Sequence, residues 1–184
     1  KASGDLAVKL YKEDIEAALR TKDFGGFELL SLSDYTGQST ATVGILDVFY
    51  ESKGLISHDE FKNFAGEAVP LFKAKRIFKN TDTLEAELDL YDFGEKKINN
   101  PVYNLTVQNG KQVFYKTSTT ESKVSIPLNS ITKSTMLSVI LEVNGYKNTW
   151  RIFVFGENKI ENNVRMIKSE EELYDIIKNG GKAI

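Results

Sequence analysis

From residue 84 to residue 143 the apolar side chains recur with a period of two, which confines this part of the chain to sheets with one dry face. Leu84, Ala86, Leu88 and Leu90 alternate with Glu85, Glu87, Asp89 and Tyr91. Val124, Ile126 and Leu128 alternate in the same way, as do Leu137, Val139, Leu141 and Val143. Two Asn-Gly pairs, Asn109-Gly110 and Asn144-Gly145, each separate two such runs. Asn-Gly marks a tight hairpin because both central residues of a type I′ turn need positive φ. Further strands near Leu71–Phe78, Tyr103–Val107, Gln112–Lys116 and Trp150–Phe155 bring the number to about seven, the spacing of an immunoglobulin-like sandwich. The chain has no cysteine and its single tryptophan falls on the last expected strand, so the antibody-domain hallmarks are absent.

Before this region the pattern is different. Leu6, Leu10, Tyr11, Ile15, Ala18 and Leu19 follow a helical period, with Ser3 as an expected cap. Lys12 with Glu16 and Glu16 with Arg20 are (i, i+4) pairs, expected on the wet face and each worth only about 0.2–0.5 kcal/mol. Phe27 to Leu32 forms a short apolar run after Gly25-Gly26, as in a strand covered on both faces. The loop from Asp34 to Ser39 follows, then an expected helix through Val43, Leu46, Phe49 and Tyr50. Ser57 and Glu60 form a capping box ahead of Phe61 and Phe64. We therefore expect three zones: an α/β zone over 1–66, a sandwich over 67–158, and a polar connection with a capped helix over 159–184. In the last zone Ser169 and Glu172 give the cap, and Leu173, Ile176 and Ile177 the apolar stripe. Gly180-Gly181 ends the helix. Lys182-Ala183-Ile184 has the look of a strand beginning without a partner, and the first residues resemble neither an initiator nor a signal peptide. Both ends read as cut.

Composition excludes several classes of function. The 184 residues carry a formal net charge of −2, which gives no general pull towards nucleic acid or an anionic membrane. No apolar run approaches the roughly 20 residues of a membrane helix. Without cysteine there is no disulfide, thiol nucleophile or zinc-thiolate site. His58, the one histidine, lies inside a capping box and reads as a surface residue rather than a ligand. No metal site and no cofactor are expected. Gly37-Gln38-Ser39-Thr40 lacks the Gly-Lys-Ser/Thr core of a phosphate loop. Asn104-Leu105-Thr106 matches a glycosylation sequon in mid-strand and reads as accidental.

The residues left with chemical potential are few. Asp34 and Gln38 lie just past the expected buried strand, the end at which (β/α)8 barrels place their sites. Glycoside hydrolysis uses two carboxyl groups roughly 5–10 Å apart, and Asp34 has no evident second. Glu28 lies within the strand. Tyr146 at the second Asn-Gly turn, with Trp150, Phe153 and Phe155, could stack on a sugar ring, although alternation sends part of this cluster into the core.

The segment Leu10-Tyr11-Lys12-Glu13-Asp14-Ile15-Glu16-Ala17-Ala18-Leu19-Arg20-Thr21 resembles the penultimate barrel helix of glycoside hydrolase family 2 enzymes of the β-galactosidase, Bacteroides type. Gly26-Phe27-Glu28-Leu29-Leu30, Asp34-Tyr35-Thr36-Gly37-Gln38, Val43-Gly44-Ile45-Leu46-Asp47 and Ser52-Lys53-Gly54 resemble the eighth strand, its loop and the closing helix. The likeness covers most of residues 3–56. Tyr35, Thr36 and Ser39 depart from the family's usual loop, Phe49-Tyr50 from its aromatic pair, and Glu28 from a strand glutamine.

The resemblance implies a mainly β chain, an immunoglobulin-like sandwich preceded by an α/β fragment of a TIM barrel. It implies a retaining mechanism with two glutamates that would both precede Lys1, so no catalytic residue carries over and this chain alone is expected to be inactive. Asp34 and Gln38 become pocket-edge residues by the same resemblance, and Tyr146 and Trp150 remain possible stacking residues. The expected partners are carbohydrate, bound through the intact enzyme, and neighbouring domains. The resemblance places such an enzyme in the periplasm or at the cell surface. A carbohydrate-binding module and a protein-binding adhesion or scaffold module are the alternative readings.

Overall fold

A computed structural model describes residues 2–37, 42–156, 164–165 and 167–183. Helix α1 (Ala2–Arg20) is followed by an irregular segment and by helix α2 (His58–Ala65). The Ser57–Glu60 capping box is formed in both directions, so α2 starts where the sequence says it should. Eight strands then make two sheets: β1 (Ala68–Lys73), β2 (Ile77–Lys79), β3 (Thr83–Asp92), β4 (Tyr103–Asn109), β5 (Gln112–Thr119), β6 (Lys123–Pro127), β7 (Thr135–Val143) and β8 (Tyr146–Phe155). One sheet has the order β1-β3-β6 and the other β2-β8-β7-β4-β5. The fold is mainly β, an immunoglobulin-like sandwich with a helical segment ahead of it.

Alternation fixes the core. Leu84, Ala86 and Leu88 of β3 and Val124 and Ile126 of β6 meet Leu105, Val107, Leu137, Val139, Leu141, Trp150, Ile152 and Val154 from the facing sheet. The expected strand over 71–78 divides into two: β1 pairs antiparallel with β3, and β2 crosses to pair parallel with β8. Consequently β1 is covered on both faces. Phe72 enters the sandwich core, while Val69 and Leu71 join Ile15 and Leu19 of α1 and Phe64 of α2 in a second core. The helices are thus held against the strand at the edge of the smaller sheet.

The two Asn-Gly turns differ. Asn144 and Gly145 have φ of 50° and 88° between the paired Val143 and Tyr146, the type I′ signature. In the first hairpin Asn109 instead pairs with Gln112, which leaves Gly110 and Lys111 as the central residues. The register shifts between Val107 and Gln108, so Phe114 is an extra residue on β5. That bulge lets the consecutive Phe114 and Tyr115 both pack against the core.

Three expectations about the secondary structure ahead of β1 fail. Residues 27–32 form no strand, and Leu30 is 85% exposed. A parallel strand needs a hydrogen-bonding neighbour; here Ser33 makes only an isolated bridge to Leu46. Residues 43–50 form no helix, because Asp47 Oδ1 accepts the N–H groups of Phe49 and Glu51 and turns the chain, and Tyr50 has φ 64°. Gly44 packs so tightly that a Cβ would lie 2.3 Å from the Ser33 carbonyl carbon. Ser3 lies inside α1 rather than capping it.

The C-terminal helix α3 (Glu170–Lys178) is capped by Ser169 and ends in a Schellman arrangement, with Gly181 N–H on Ile176 O and Gly180 N–H on Ile177 O. The terminal strand is partnered after all: β10 (Lys182–Ala183) pairs parallel with β9 (Val164–Arg165). The polar connection at Glu157, Asn158, Glu161, Asn162 and Asn163 lies outside the described residues.

Candidate functional site

Each residue expected to touch a ligand has a definite place, apart from Gln38, which lies outside the described residues. Asp34 is taken up by the loop itself. Its carboxylate accepts Lys53 Nζ at 2.9 and 3.0 Å and the Gly44 N–H at 2.8 Å. The Lys53 hydrogen bond is the main reason its pKa lies below the ordinary carboxylate value. Lys53 Nζ also donates to the carbonyls of Thr42 and Gly44, so the ammonium closes the loop as a structural cation. His58 is exposed on the first turn of α2, as expected. Among the described residues no group of three or more His, Cys, Asp or Glu could hold a metal, and no helix is long and apolar enough to cross a membrane.

The expected stacking pair is committed elsewhere. Trp150 is 3% exposed, packed 5.3 Å from the Phe72 ring, with its indole N–H on Glu16. No face of it is offered to a sugar. Tyr146 is half-buried and donates its hydroxyl to Glu67 Oε1 at 2.6 Å, and this bond raises its pKa.

Around Trp150 lies the most organised polar group of the molecule, and the sequence did not reveal it. Among the described residues Glu16 and Asn148 are the buried polar ones of the core. Glu16 Oε2 accepts Trp150 Nε1 at 2.8 Å and Arg20 Nη1 at 3.1 Å; Oε1 accepts Asn148 Nδ2 at 2.8 Å and Lys12 Nζ. Asn148 Nδ2 also donates to Pro70 O, and Asn148 Oδ1 accepts Lys12 Nζ. The Lys12 ammonium lies 4.9 Å from the Trp150 ring centroid and 5.4 Å from that of Phe64. Burial lowers the pKa of Lys12 despite the adjoining Glu16 carboxylate. The (i, i+4) pairs assigned to the wet face are therefore the dry joint between α1 and the sandwich. The available signal was Asn148, a polar residue on the inward phase of β8.

On the far side of this joint, α1 and the segment after it expose Leu6, Leu10, Phe24, Phe27, Leu30, Leu32, Tyr35, Val43, Val48, Phe49 and Tyr50. So many exposed large apolar side chains in one stretch of chain are unusual for a free surface. At its edge, Phe24, Phe27 and Glu28 face Ala65, Gly66 and Phe93 across an open groove of about 600 Å³. Chemically these are uncovered apolar side chains beside a shallow aromatic groove.

A family model for a domain of unknown function (DUF8488) matches residues 82–156, the sandwich from the start of β3 to the end of β8. No curated protein matches the chain. Among solved structures the chain is similar to the apo structure of Bacteroides uniformis beta-glucuronidase 3, with 10% identity and a TM-score of 0.30, over 88% of this chain and 21% of that one. The chain thus spans about a fifth of that protein's length. The immunoglobulin-like architecture rests on strand order and core.

Proposed function

We propose that this chain is a non-catalytic part of a larger glycoside hydrolase, in which the sandwich braces a catalytic barrel and α1 belongs to both bodies. The observation that carries this reading is the two-sidedness of α1. One face is locked to the sandwich by Ile15, Glu16 and Leu19, while Leu6 and Leu10 and the apolar residues of the following segment are uncovered. An element built to bury one face here and present another is what a bracing role requires. The resemblance of residues 3–56 to family 2 glycoside hydrolases supplies the identity of the missing body. A barrel strand without its neighbours has no ladder to join, which accounts for the irregular course of residues 27–32. On the same resemblance we place the intact enzyme in the periplasm or at the cell surface.

The adhesion reading is weaker because all four edges of the sandwich's two sheets are blunted. β1 carries Pro70 and lies under the helices, β2 has three residues, β5 is bulged at Phe114, and β6 ends in Pro127. The test is hydrolysis of 4-nitrophenyl β-glycosides, galactoside and glucuronide included, by the full encoded polypeptide and by this chain alone. Activity in the first and none in the second is expected. Hydrolysis by the isolated chain, or none by the full polypeptide, would overturn the proposal.

A further inference from the structure

The outer face of the five-stranded sheet has a character unlike the rest of the surface. Alternation along β8 turns Arg151, Phe153 and Phe155 to the same outward side, successive members about 7 Å apart. Phe153 is paired with Ile77 of β2 and with Met136 of β7, so three apolar side chains form one row across three strands. They are 43%, 65% and 44% exposed, respectively. Phe155 lies opposite Lys79, and Arg151 opposite Ser138. Among the described residues neither Arg151 nor Lys79 has an ion-pair partner. Glu142, the carboxylate of this face, is engaged with Lys147 at the opposite end. The other sheet's outer face carries Glu85, Glu87 and Asp89 along β3, with Lys73 and Lys123 on either side of Glu87. A cationic, aromatic face on a chain of net charge −2 is a local arrangement rather than a consequence of composition.

We propose that this face binds an anionic polysaccharide, its sugar rings resting on Phe153 and Phe155 and its carboxylates on Arg151 and Lys79. The proposal rests on the reading above that the chain belongs to a carbohydrate-degrading enzyme, and it names the class of polymer held beside the catalytic body. Ring C–H faces suit a flat aromatic row, guanidinium and ammonium suit carboxylates, and the hydroxyls of Ser138 and Thr149 suit sugar hydroxyls. Magnitudes decide against the other occupants. Four apolar side chains fall far short of the roughly 800 Å² that each partner buries in a standard protein interface. Three cations without an ion-pair partner among the described residues, Arg151, Lys79 and Lys116, fall short of the roughly 6–10 phosphate contacts of a strongly held nucleic acid.

The test is affinity electrophoresis of this chain in gels containing polygalacturonate, neutral dextran or polyglutamate, with single-stranded oligothymidylate as competitor. Retardation by polygalacturonate alone is expected. Phe153→Ala and Arg151→Gln should each weaken it roughly five- to tenfold, while Lys123→Ala on the other sheet leaves it unchanged. Both affected side chains lie outside the core, and circular dichroism melting establishes that the variants are folded. No retardation, equal retardation by polyglutamate, displacement by the oligonucleotide, or retardation unchanged in both variants overturns the proposal. Hydrolysis by the full polypeptide is measured separately, so its loss would count against the enzyme reading and a lack of binding against this one.

Discussion

Glu16 has Lys12 one turn before it and Arg20 one turn after, the spacing of exposed bridges worth a few tenths of a kcal/mol. Its environment changes that scale. With a fully buried carboxylate, the indole N–H of Trp150, the Asn148 amide and two cations all depend on one acceptor group. Removing a single partner from such a network leaves the others desolvated and unpaired, at a cost of about 3–5 kcal/mol. Glu16→Ala should therefore lower the urea midpoint by an amount equivalent to about 3 kcal/mol. Because Trp150 is the only tryptophan, its fluorescence reports on the same joint. Folded Glu16→Ala protein should show red-shifted emission. A loss below about 0.5 kcal/mol, the level of a surface substitution, would mean that the joint is wet.

At the scale of elements, several loops depend on ionised carboxylates. Asp92 accepts the Ile98 N–H at 2.7 Å and the Gly94 N–H at 2.8 Å, closing the turn after β3. The Ile98 bond is the main cause of its depressed pKa. Glu60 is depressed by the Ser57 backbone N–H, and Asp34 by Lys53. A carboxylate whose folded pKa is below its unfolded value contributes stability that is complete above the unfolded pKa, about 4, and is lost as pH falls through the folded one. Melting temperature should therefore hold steady from pH 7 to about 5 and fall below about 4. Asp92→Asn should make that acid limb shallower; an unchanged limb would remove Asp92 from the account. The elements themselves were legible to different degrees. The strands β3, β6, β7 and β8 could be read because each carries its own period of two. The helical cap at Ser57 could be read because it is local. Residues 27–32 and 43–50 misled because a short apolar run does not say whether a strand or helix partner is at hand, while Asp47 and Gly44 set the local course. The role of Glu16 was hidden because a helical period cannot say which face a distant strand will cover.

The whole molecule combines a closed sandwich with an open apolar flank, and the two should respond differently to mutation. Leu30 and Phe49 are 85% and 78% exposed, so replacing them with serine removes almost no buried area. In this chain Leu30→Ser and Phe49→Ser should leave stability within about 0.5 kcal/mol of the parent and raise solubility. By contrast Leu71, 1% exposed between β1 and the helices, should cost about 2–4 kcal/mol as alanine. If the flank is the seat of a catalytic barrel, the same serine substitutions placed in the full polypeptide become core changes and should cost several kcal/mol there. Thermal unfolding of both substitutions in both contexts decides the matter. A penalty that appears only in the longer protein identifies the flank as an interior surface. Equal, negligible effects in both would leave α1 a helix with one partner, and the bracing role would lose the observation that carries it.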